Sequence, residues 1–187
     1  MTGDTRVAPL RSGSAVAADA AVIAAVAVFF LLRPALGQAR SIPLAVCFAG
    51  MAVASVARGA RSRPTGVVAL PLLVGAVAVI GARILAGPAV PVRAGVLAAT
   101  LNVGAAVTEE AFFRGFLYGK LERWGTAIAV ATSALAFALA HVPVYGTFAL
   151  PVDVGAGLLL SWQRAATGGW SVPAATHTLA NLLVVIP

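Results

Sequence analysis

Long stretches without charge are the feature of this sequence that most restricts its fold. Of the 187 residues, 60% are hydrophobic and only 10% are charged, against about 25% charged residues in soluble domains. The chain has 29 residues without Asp, Glu, Lys or Arg between Arg123 and Asp153, and 23 more after Arg164. A helix needs about 20 apolar residues to cross a hydrocarbon core of about 30 Å. The sequence therefore predicts an all-α, polytopic bundle of transmembrane helices in a lipid bilayer.

The formal net charge of +7 does not indicate a nucleic-acid partner. Basic residues occur in small groups between the apolar runs, whereas a nucleic-acid-binding surface is a contiguous basic face. Scattered basic loops are typical of the cytoplasmic side of a membrane protein. The only cysteine, Cys47, lies within an apolar run, so the sequence provides no disulfide framework and no cysteine metal cluster.

Seven apolar segments, separated by turn-forming residues, divide the chain. These segments are Ala15–Leu32, Ile42–Ala57, Gly66–Gly87, Val92–Glu122, Thr126–Val142, Phe148–Trp162 and Ser171–Ile186. We expect six or seven spans, because the second segment is short and the sixth contains Asp153. No internal repeat or soluble domain is visible, so residues 1–187 are predicted to form a single integral membrane domain.

The basic residues of the loops predict the orientation. With a cytoplasmic N-terminus, the cytoplasmic side holds eight of them: Arg6, Arg11, Arg58, Arg61, Arg63, Lys120, Arg123 and Arg164. The opposite side holds four: Arg33, Arg40, Arg83 and Arg93. Because Lys and Arg are enriched on the cytoplasmic side, this distribution favours a cytoplasmic N-terminus. The first segment is expected to be a membrane helix rather than a cleaved signal peptide.

The stretch TEEAFFRG places three charged residues at the end of a long apolar run. Ionisable residues within membrane segments usually face the protein interior and mark function. Glu110 and Arg114 are four residues apart and share a helix face, whereas Glu109 points about 100° away from Glu110. This spacing predicts that Arg114 neutralises Glu110 and leaves Glu109 free as a general base. The spacing also fits a purely structural Glu110–Arg114 pair, with Glu109 at the membrane surface.

His141 is predicted to lie at the same depth as Glu109. Segments four and five form a hairpin that turns near Trp124 and Gly125. Glu109 precedes this turn by about as many residues as separate the turn from His141, so both lie about 23 Å from it along their helices. The two side chains can therefore meet on adjacent antiparallel helices.

The last segment carries HTLAN, in which His177 and Asn181 are four residues apart on one helix face. Both side chains can donate hydrogen bonds, as an oxyanion-binding site requires, although the same pair could serve as hydrogen-bonding contacts between helices. Two chemistries fit the combined set. One is water activation by Glu109 and His141, and the other is a metal ion held by Glu and His. The role of Asp153 stays open.

Three motifs in this order resemble the CAAX protease and bacteriocin-processing family, the CPBP or Abi intramembrane proteases, which are related to the type II CAAX prenyl endopeptidase. The family motif EExxxR is present as Glu109, Glu110 and Arg114. The motif FxxxH is present as Phe137 and His141, and HxxxN as His177 and Asn181. The resemblance covers roughly residues 92–186, which are expected to form the catalytic core helices.

The resemblance implies an endopeptidase without a metal cofactor, with zinc or another divalent metal as the alternative. In that scheme Glu109 and His141 activate water, while His177 and Asn181 bind the oxyanion. Glu110, Arg114 and Phe137 have supporting roles. The implied partners are the lipid bilayer and a peptide or membrane-protein substrate, and the expected location is a bacterial inner membrane. The resemblance does not fix the substrate, and the sequence does not fix the oligomeric state.

Two other classes of function fit the same residues. A non-catalytic binding or immunity protein can retain this fold. A proton-coupled transporter can also place Glu and His within the membrane, but such proteins usually show inverted repeats or paired broken helices. Neither feature is visible in this sequence.

Overall fold

The computed structural model describes residues 12–36, 41–60, 62–87 and 96–185. Within these ranges the protein is all-α, with seven helices and no strand. The helices are α1 (Gly13–Leu36), α2 (Ser41–Ala57), α3 (Ala69–Leu85), α4 (Val96–Trp124), α5 (Thr126–Tyr145), α6 (Leu150–Thr167) and α7 (Ser171–Val185). Each falls on one of the seven apolar segments, which confirms the predicted helical bundle. Residues 92–95 and 186 of the predicted segments lie outside the described ranges.

The distribution of polar and apolar side chains is that of a membrane protein. Helices α1, α4 and α5 are long and apolar enough to cross a membrane, and α3 and most of α2 are shorter apolar helices. Large apolar side chains such as Leu85 and Phe148 are more than four-fifths exposed. The largest fully buried side chains include Arg114 and Gln163. A soluble domain rarely buries such residues fully, so the fold presents its apolar surface to lipid and its polar groups to its own interior.

The helices of the second half pack closely around α4. Helix α5 runs along α6, while α4 and α3 both pack along α7. The α5–α6 contact depends on Gly157, where an added Cβ would lie 2.8 Å from the carbonyl oxygen of Ala134. Small residues allow helix backbones to approach closely in lipid. This packing brings the polar residues of α4, α5 and α7 to the same interior region.

Helix α4 ends at Trp124, two residues beyond its predicted end, and three other helices also extend beyond theirs. Helix α1 continues through Pro34, and α5 continues through Pro143. A proline blocks the hydrogen bond of its own nitrogen to the preceding turn, yet a last turn can still form around it. Helix α6 runs to Thr167 instead of Trp162, because the polar residues Gln163 and Arg164 are buried against other helices. Gly125 and Gly168 lie at the predicted turns with positive φ values of 111° and 75°.

A π-helical segment, Ala111–Leu117, interrupts α4 directly after Glu110. The amide of Tyr118 donates to the carbonyl of Phe113, five residues back. Side chains from other helices serve as further donors to this segment: Ser133 Oγ donates to the carbonyl of Phe113 at 2.8 Å, and Arg164 Nε to the carbonyl of Arg114 at 2.9 Å. Such wide turns occur frequently at functional sites. The sequence pattern predicted regular α-helical spacing here, so the π-helical segment differs from the prediction.

The beginning of α1 is tied to the ends of α2 and α4 by an ionic clamp of Asp19, Arg58 and Lys120. Arg58 donates to Asp19 through Nε at 2.7 Å and again through Nη2, and Lys120 Nζ lies 2.9 Å from Asp19 Oδ2. Arg58 and Lys120 are therefore on the same side of the bundle, as the loop charges predict. The compartment that this side faces stays a prediction. Of the basic residues used for the orientation, Arg6, Arg11, Arg40, Arg61 and Arg93 lie outside the described residues.

Candidate active site

The EExxxR motif lies in the protein interior. Glu109 is 2% exposed, and both Glu110 and Arg114 are fully buried. Glu109 is therefore enclosed by the protein and is not exposed on its surface. Because buried charges are costly without partners, the contacts of each carboxylate oxygen determine what the motif can do.

Glu110 forms the predicted pair with Arg114. Arg114 Nη1 lies 2.9 Å from Glu110 Oε1, and Arg114 Nη2 donates to the carbonyl of Gly157 at 3.1 Å. The same Oε1 atom lies 2.9 Å from His177 Nδ1. Since Glu110 joins the arginine of its own helix to the histidine of α7, this carboxylate orients a second member of the site.

Glu109 is not free of cationic partners, contrary to the prediction. Arg33 Nη1, from the end of α1, lies 3.1 Å from Glu109 Oε1. The other oxygen, Oε2, faces two imidazole rings: it lies 3.6 Å from His141 Nε2 and 3.9 Å from His177 Nε2. The two oxygens of Glu109 therefore have different surroundings, one ionic and the other between histidines.

His141 lies beside Glu109, as the equal distances from the α4–α5 turn predict. Its Nδ1 is 2.8 Å from the carbonyl of Phe137. A carbonyl oxygen can only accept a hydrogen bond, so Nδ1 carries the proton. In the neutral ring, Nε2 is then an acceptor that faces Glu109. A water molecule between this nitrogen and the carboxylate could donate a hydrogen bond to each of them.

His177 is constrained in a similar way. The oxygen Glu110 Oε1 also accepts from Arg114, so it is an acceptor and His177 Nδ1 is the donor toward it. His177 Nε2 can then donate a hydrogen bond only when the ring is an imidazolium. His177 is only 8% exposed. The nitrogen that it directs toward Glu109 can donate a hydrogen bond only when the imidazole ring is positively charged.

Asn181 lies one turn beyond His177 on α7 and is half-buried. Its Nδ2 donates to the carbonyl of Asn102 in α4 at 3.1 Å. An amide nitrogen has two hydrogens, so one remains for another acceptor. The contact with Asn102 also joins α7 to α4. A hydrogen bond between helices was the alternative role that the sequence suggested for Asn181.

Aromatic rings enclose the charged groups. The ring of Phe137 lies 4.4 Å from the guanidinium carbon of Arg114 and 4.4 Å from the ring of His141. It also contacts the ring of His177 edge-on at 5.5 Å. The ring of Tyr145 stacks on His141 at 5.8 Å with an interplanar angle of 6°. These rings limit the rotation of both histidines and reduce the contact of the site with solvent.

Asp153 belongs to the surroundings of this site. It lies in the first turn of α6, partly buried, and within electrostatic range of His141 and Glu109. Its Oδ2 atom is buried and has no hydrogen-bond partner within the part of the chain that the structure describes. The sequence left the role of Asp153 open, and this environment places Asp153 near His141 and Glu109.

One family model matches the chain: the type II CAAX prenyl endopeptidase Rce1-like model matches residues 91–183. These residues include the three motifs on α4, α5 and α7. Through these helices, the chain belongs to the Rce1-like family. Membership implies a membrane-embedded protease that acts on a peptide substrate. Searches of curated proteins and of solved structures give no significant match.

One residue of the site lies outside the part that matches the Rce1-like family. Arg33 is in α1, 76 positions before Glu109, and the sequence analysis counted it only as a loop charge. The charges of the EExxxR motif indicate that a residue such as Arg33 is needed. Glu109 and Glu110 carry two negative charges and Arg114 only one positive charge, so a buried motif requires one more cation.

Histidine and carboxylate side chains such as those of this site can also hold a metal ion. Across residues 12–36, 41–60, 62–87 and 96–185, no group of three or more His, Cys, Asp or Glu side chains is arranged to hold a metal ion. Glu110 and the Nδ1 atoms of both histidines are already used in hydrogen bonds within the protein.

An apolar cavity of about 260 Å³ lies between α1, α4 and α5, beside the charged residues. Its lining includes Phe30, Phe112, Phe113 and Pro143. Phe30 also packs against His141, with ring centroids 6.2 Å apart. One wall of the cavity is thus shared with the site, so an apolar side chain or hydrocarbon group held there would lie close to His141.

Proposed function

We propose that this protein is an intramembrane endopeptidase that hydrolyses a peptide bond with water activated by Glu109 and His141. The observation that supports this most directly is the position of Glu109 Oε2, which lies 3.6 Å from His141 Nε2 and 3.9 Å from His177 Nε2. Three helices thus contribute one carboxylate and two imidazoles to a single point in the interior. A general base and an oxyanion donor must share such a point to act on one carbonyl group.

In the first step, a water molecule donates hydrogen bonds to Glu109 Oε2 and to His141 Nε2. Its oxygen attacks the carbonyl carbon of the scissile bond, and Glu109 takes one of its protons. The products of this step are a tetrahedral intermediate with a negatively charged oxygen and a protonated Glu109. The burial of Glu109 favours this role, because proton transfer to a positioned base is most effective where competing water is excluded.

His177 and Asn181 are proposed to stabilise the negative oxygen. His177 donates from Nε2 as an imidazolium, which Glu110 stabilises through its contact with Nδ1. Asn181 supplies the amide hydrogen that its contact with Asn102 leaves unused. Donors of this kind act on charge that develops in the transition state, and the loss of one typically reduces kcat by about 100- to 1,000-fold.

In the last step, the carbon–nitrogen bond of the intermediate breaks. The leaving nitrogen receives the proton held by Glu109, so the products are a carboxylic acid and an amine, and Glu109 is again ionised. Water is the only reactant consumed besides the peptide. No step in this scheme requires a metal ion, and residues 92–186 supply all of its reacting groups.

The proposed substrate is a peptide or a segment of a membrane protein that reaches the bundle from the bilayer. The proposed location is a bacterial inner membrane, with a cytoplasmic N-terminus because the loop charges favour that orientation. A prenylated substrate is one possibility within the family, and the apolar cavity beside His141 has the chemistry to accept a hydrocarbon group.

The test uses purified protein in liposomes and a mixed peptide library, with cleavage followed by mass spectrometry. We expect new peptide ends with the wild-type protein and none with Glu109→Gln. Glu122→Gln is the matched control, because Glu122 lies on the same helix but its side chain is 49% exposed. This control should cleave as the wild type does.

The outcomes separate the three classes of function. Cleavage that persists in Glu109→Gln would overturn the proposed mechanism. If no library that includes membrane-segment and prenylated peptides is cut, then the binding or immunity function is favoured. Proton uptake by the liposomes that depends on Glu109 without any cleavage would favour a transporter instead.

A further inference from the structure

We propose that Arg33 is a positioning residue that holds Glu109 Oε1 so that Oε2 is presented to the water that Glu109 and His141 activate. This inference rests on the proposed function. It is carried by the division of contacts at Glu109: Arg33 Nη1 lies 3.1 Å from Oε1, while His141 and His177 face Oε2. A carboxylate can rotate and exchange its oxygens, and an ion pair on one of them restricts that rotation.

The guanidinium of Arg33 is itself held in place. Its carbon lies 5.8 Å from the ring centroid of Phe30 and 5.3 Å from that of Phe48. Cations are attracted to aromatic faces at such distances, and a planar guanidinium stacks well on them. The side chain is only 17% exposed. Phe30 of α1 and Phe48 of α2 therefore hold the guanidinium of Arg33 beside Glu109.

Arg33 also balances the charge of the site. Glu110 and Arg114 neutralise each other, so Glu109 would otherwise be a buried carboxylate without a permanent cation. A buried carboxylate without a partner is costly to keep ionised, and only an ionised carboxylate can accept a proton from water. Arg33 supplies the fixed positive charge that His141 and His177 supply only when they are protonated.

This assignment makes α1 a part of the active site. Residues 91–183 match the Rce1-like family and contain Glu109 and both histidines, but not Arg33. The helices before α4 are therefore more than a membrane anchor, because one of them completes the surroundings of the base. Arg33 is not expected to touch the substrate, which distinguishes a positioning residue from a binding residue.

The test compares Arg33→Met and Arg33→Lys with the wild type, and uses Arg83→Met as a matched control. Arg83 also lies at a helix end but donates to the carbonyls of Leu183 and Gly87. We expect kcat of Arg33→Met to fall by about 10- to 100-fold with an unchanged KM, as for other losses of alignment. Arg33→Lys should recover part of kcat, and Arg83→Met should retain kcat.

A double variant separates positioning from folding. In Arg33→Met/Glu109→Asp, the loss of Arg33 should cause no further fall below the rate of Glu109→Asp, because the shorter carboxylate already loses its contact with Arg33 and Arg33 acts through Glu109. Size-exclusion profiles and thermal unfolding in detergent report folding directly. If Arg33→Met does not fold, Arg33→Lys provides the test instead, because lysine keeps the positive charge and lacks only the planar guanidinium group.

Three results would overturn the inference. They are a wild-type kcat in folded Arg33→Met, a raised KM with an unchanged kcat, and a further loss in the double variant. The first two leave Glu109-dependent cleavage by the wild type intact, so the proposed function would survive them. Absence of Glu109-dependent cleavage by the wild type would instead overturn both.

Discussion

The Oε1 atom of Glu110 lies 2.9 Å from Arg114 Nη1 and 2.9 Å from His177 Nδ1. One oxygen therefore neutralises the buried arginine of α4 and fixes the ring of a histidine on α7. Glu109, the preceding residue, directs its own Oε2 toward the two histidines. Adjacent carboxylates thus have different tasks, and substitutions at the two positions should fail in different ways.

Glu110→Gln should be less stable than Glu109→Gln. An amide cannot balance the charge of Arg114, and breaking a buried pair by removing one partner costs about 3–5 kcal/mol. Arg33, the partner of Glu109, is 17% exposed whereas Arg114 is fully buried, so Glu109→Gln leaves a better solvated cation. Thermal unfolding in detergent measures the difference. Equal stability of the two variants would contradict the division of tasks.

Gly157→Ala should destabilise the bundle and reduce activity. An added Cβ would lie 2.8 Å from the carbonyl oxygen of Ala134 and 3.0 Å from its Cα, so α5 and α6 must separate, at a cost of about 1–3 kcal/mol. The separation also moves the Gly157 carbonyl that accepts from Arg114. Gly155→Ala is the control, because an added Cβ there meets nothing within 4 Å. The prediction is wrong if both variants unfold at the same temperature.

Asp19→Asn should lower stability but leave the cleavage rate per folded molecule unchanged. Asp19, Arg58 and Lys120 are 13%, 28% and 18% exposed, so solvent screens their interaction, and we expect a loss of about 1–2 kcal/mol. The clamp lies at the opposite end of α1 from Arg33. Unfolding temperature and kcat, measured on the same preparation, check both parts, and a fall in kcat without a fall in stability would contradict them.

Chelators should not abolish cleavage. The proposed mechanism uses Glu109 as the base and takes its oxyanion donors from His177 and Asn181, so EDTA or 1,10-phenanthroline should leave the rate unchanged. Apo-protein prepared by dialysis against chelator provides the comparison. Loss of activity that zinc alone restores would favour the metal alternative, in which Glu and His side chains hold a metal-bound water.

The helical bundle and the pairing across it could be predicted because they depend on local patterns. Apolar segments of sufficient length specify membrane helices. The rise per residue of a helix is constant, so distances from the α4–α5 turn place Glu109 and His141 at one depth. The four-residue spacing of Glu110 and Arg114 likewise predicts their contact, which the structure shows at 2.9 Å.

Other features depend on contacts that no local pattern contains. The pairing of Arg33 with Glu109 joins residues 76 positions apart, and it appears only when α1 and α2 are placed against α4. The π-helical segment requires Ser133 and Arg164 to donate to carbonyls of α4. Arg164 was predicted to be a loop charge, yet it is 4% exposed, because its partners lie on another helix.

The contacts of Asp19 and of Arg33 hold α1 near both of its ends. Asp19 and Arg33 are separated by about 21 Å along the helix at its usual rise per residue. If the clamp acts as the fulcrum, a tilt of α1 by about 10° would carry the far end through about 4 Å over that length. This displacement exceeds the 3.1 Å that separates Arg33 from Glu109. A change in helix inclination of this size would therefore break the contact between Arg33 and Glu109, so the geometry of the base requires α1 to keep its tilt.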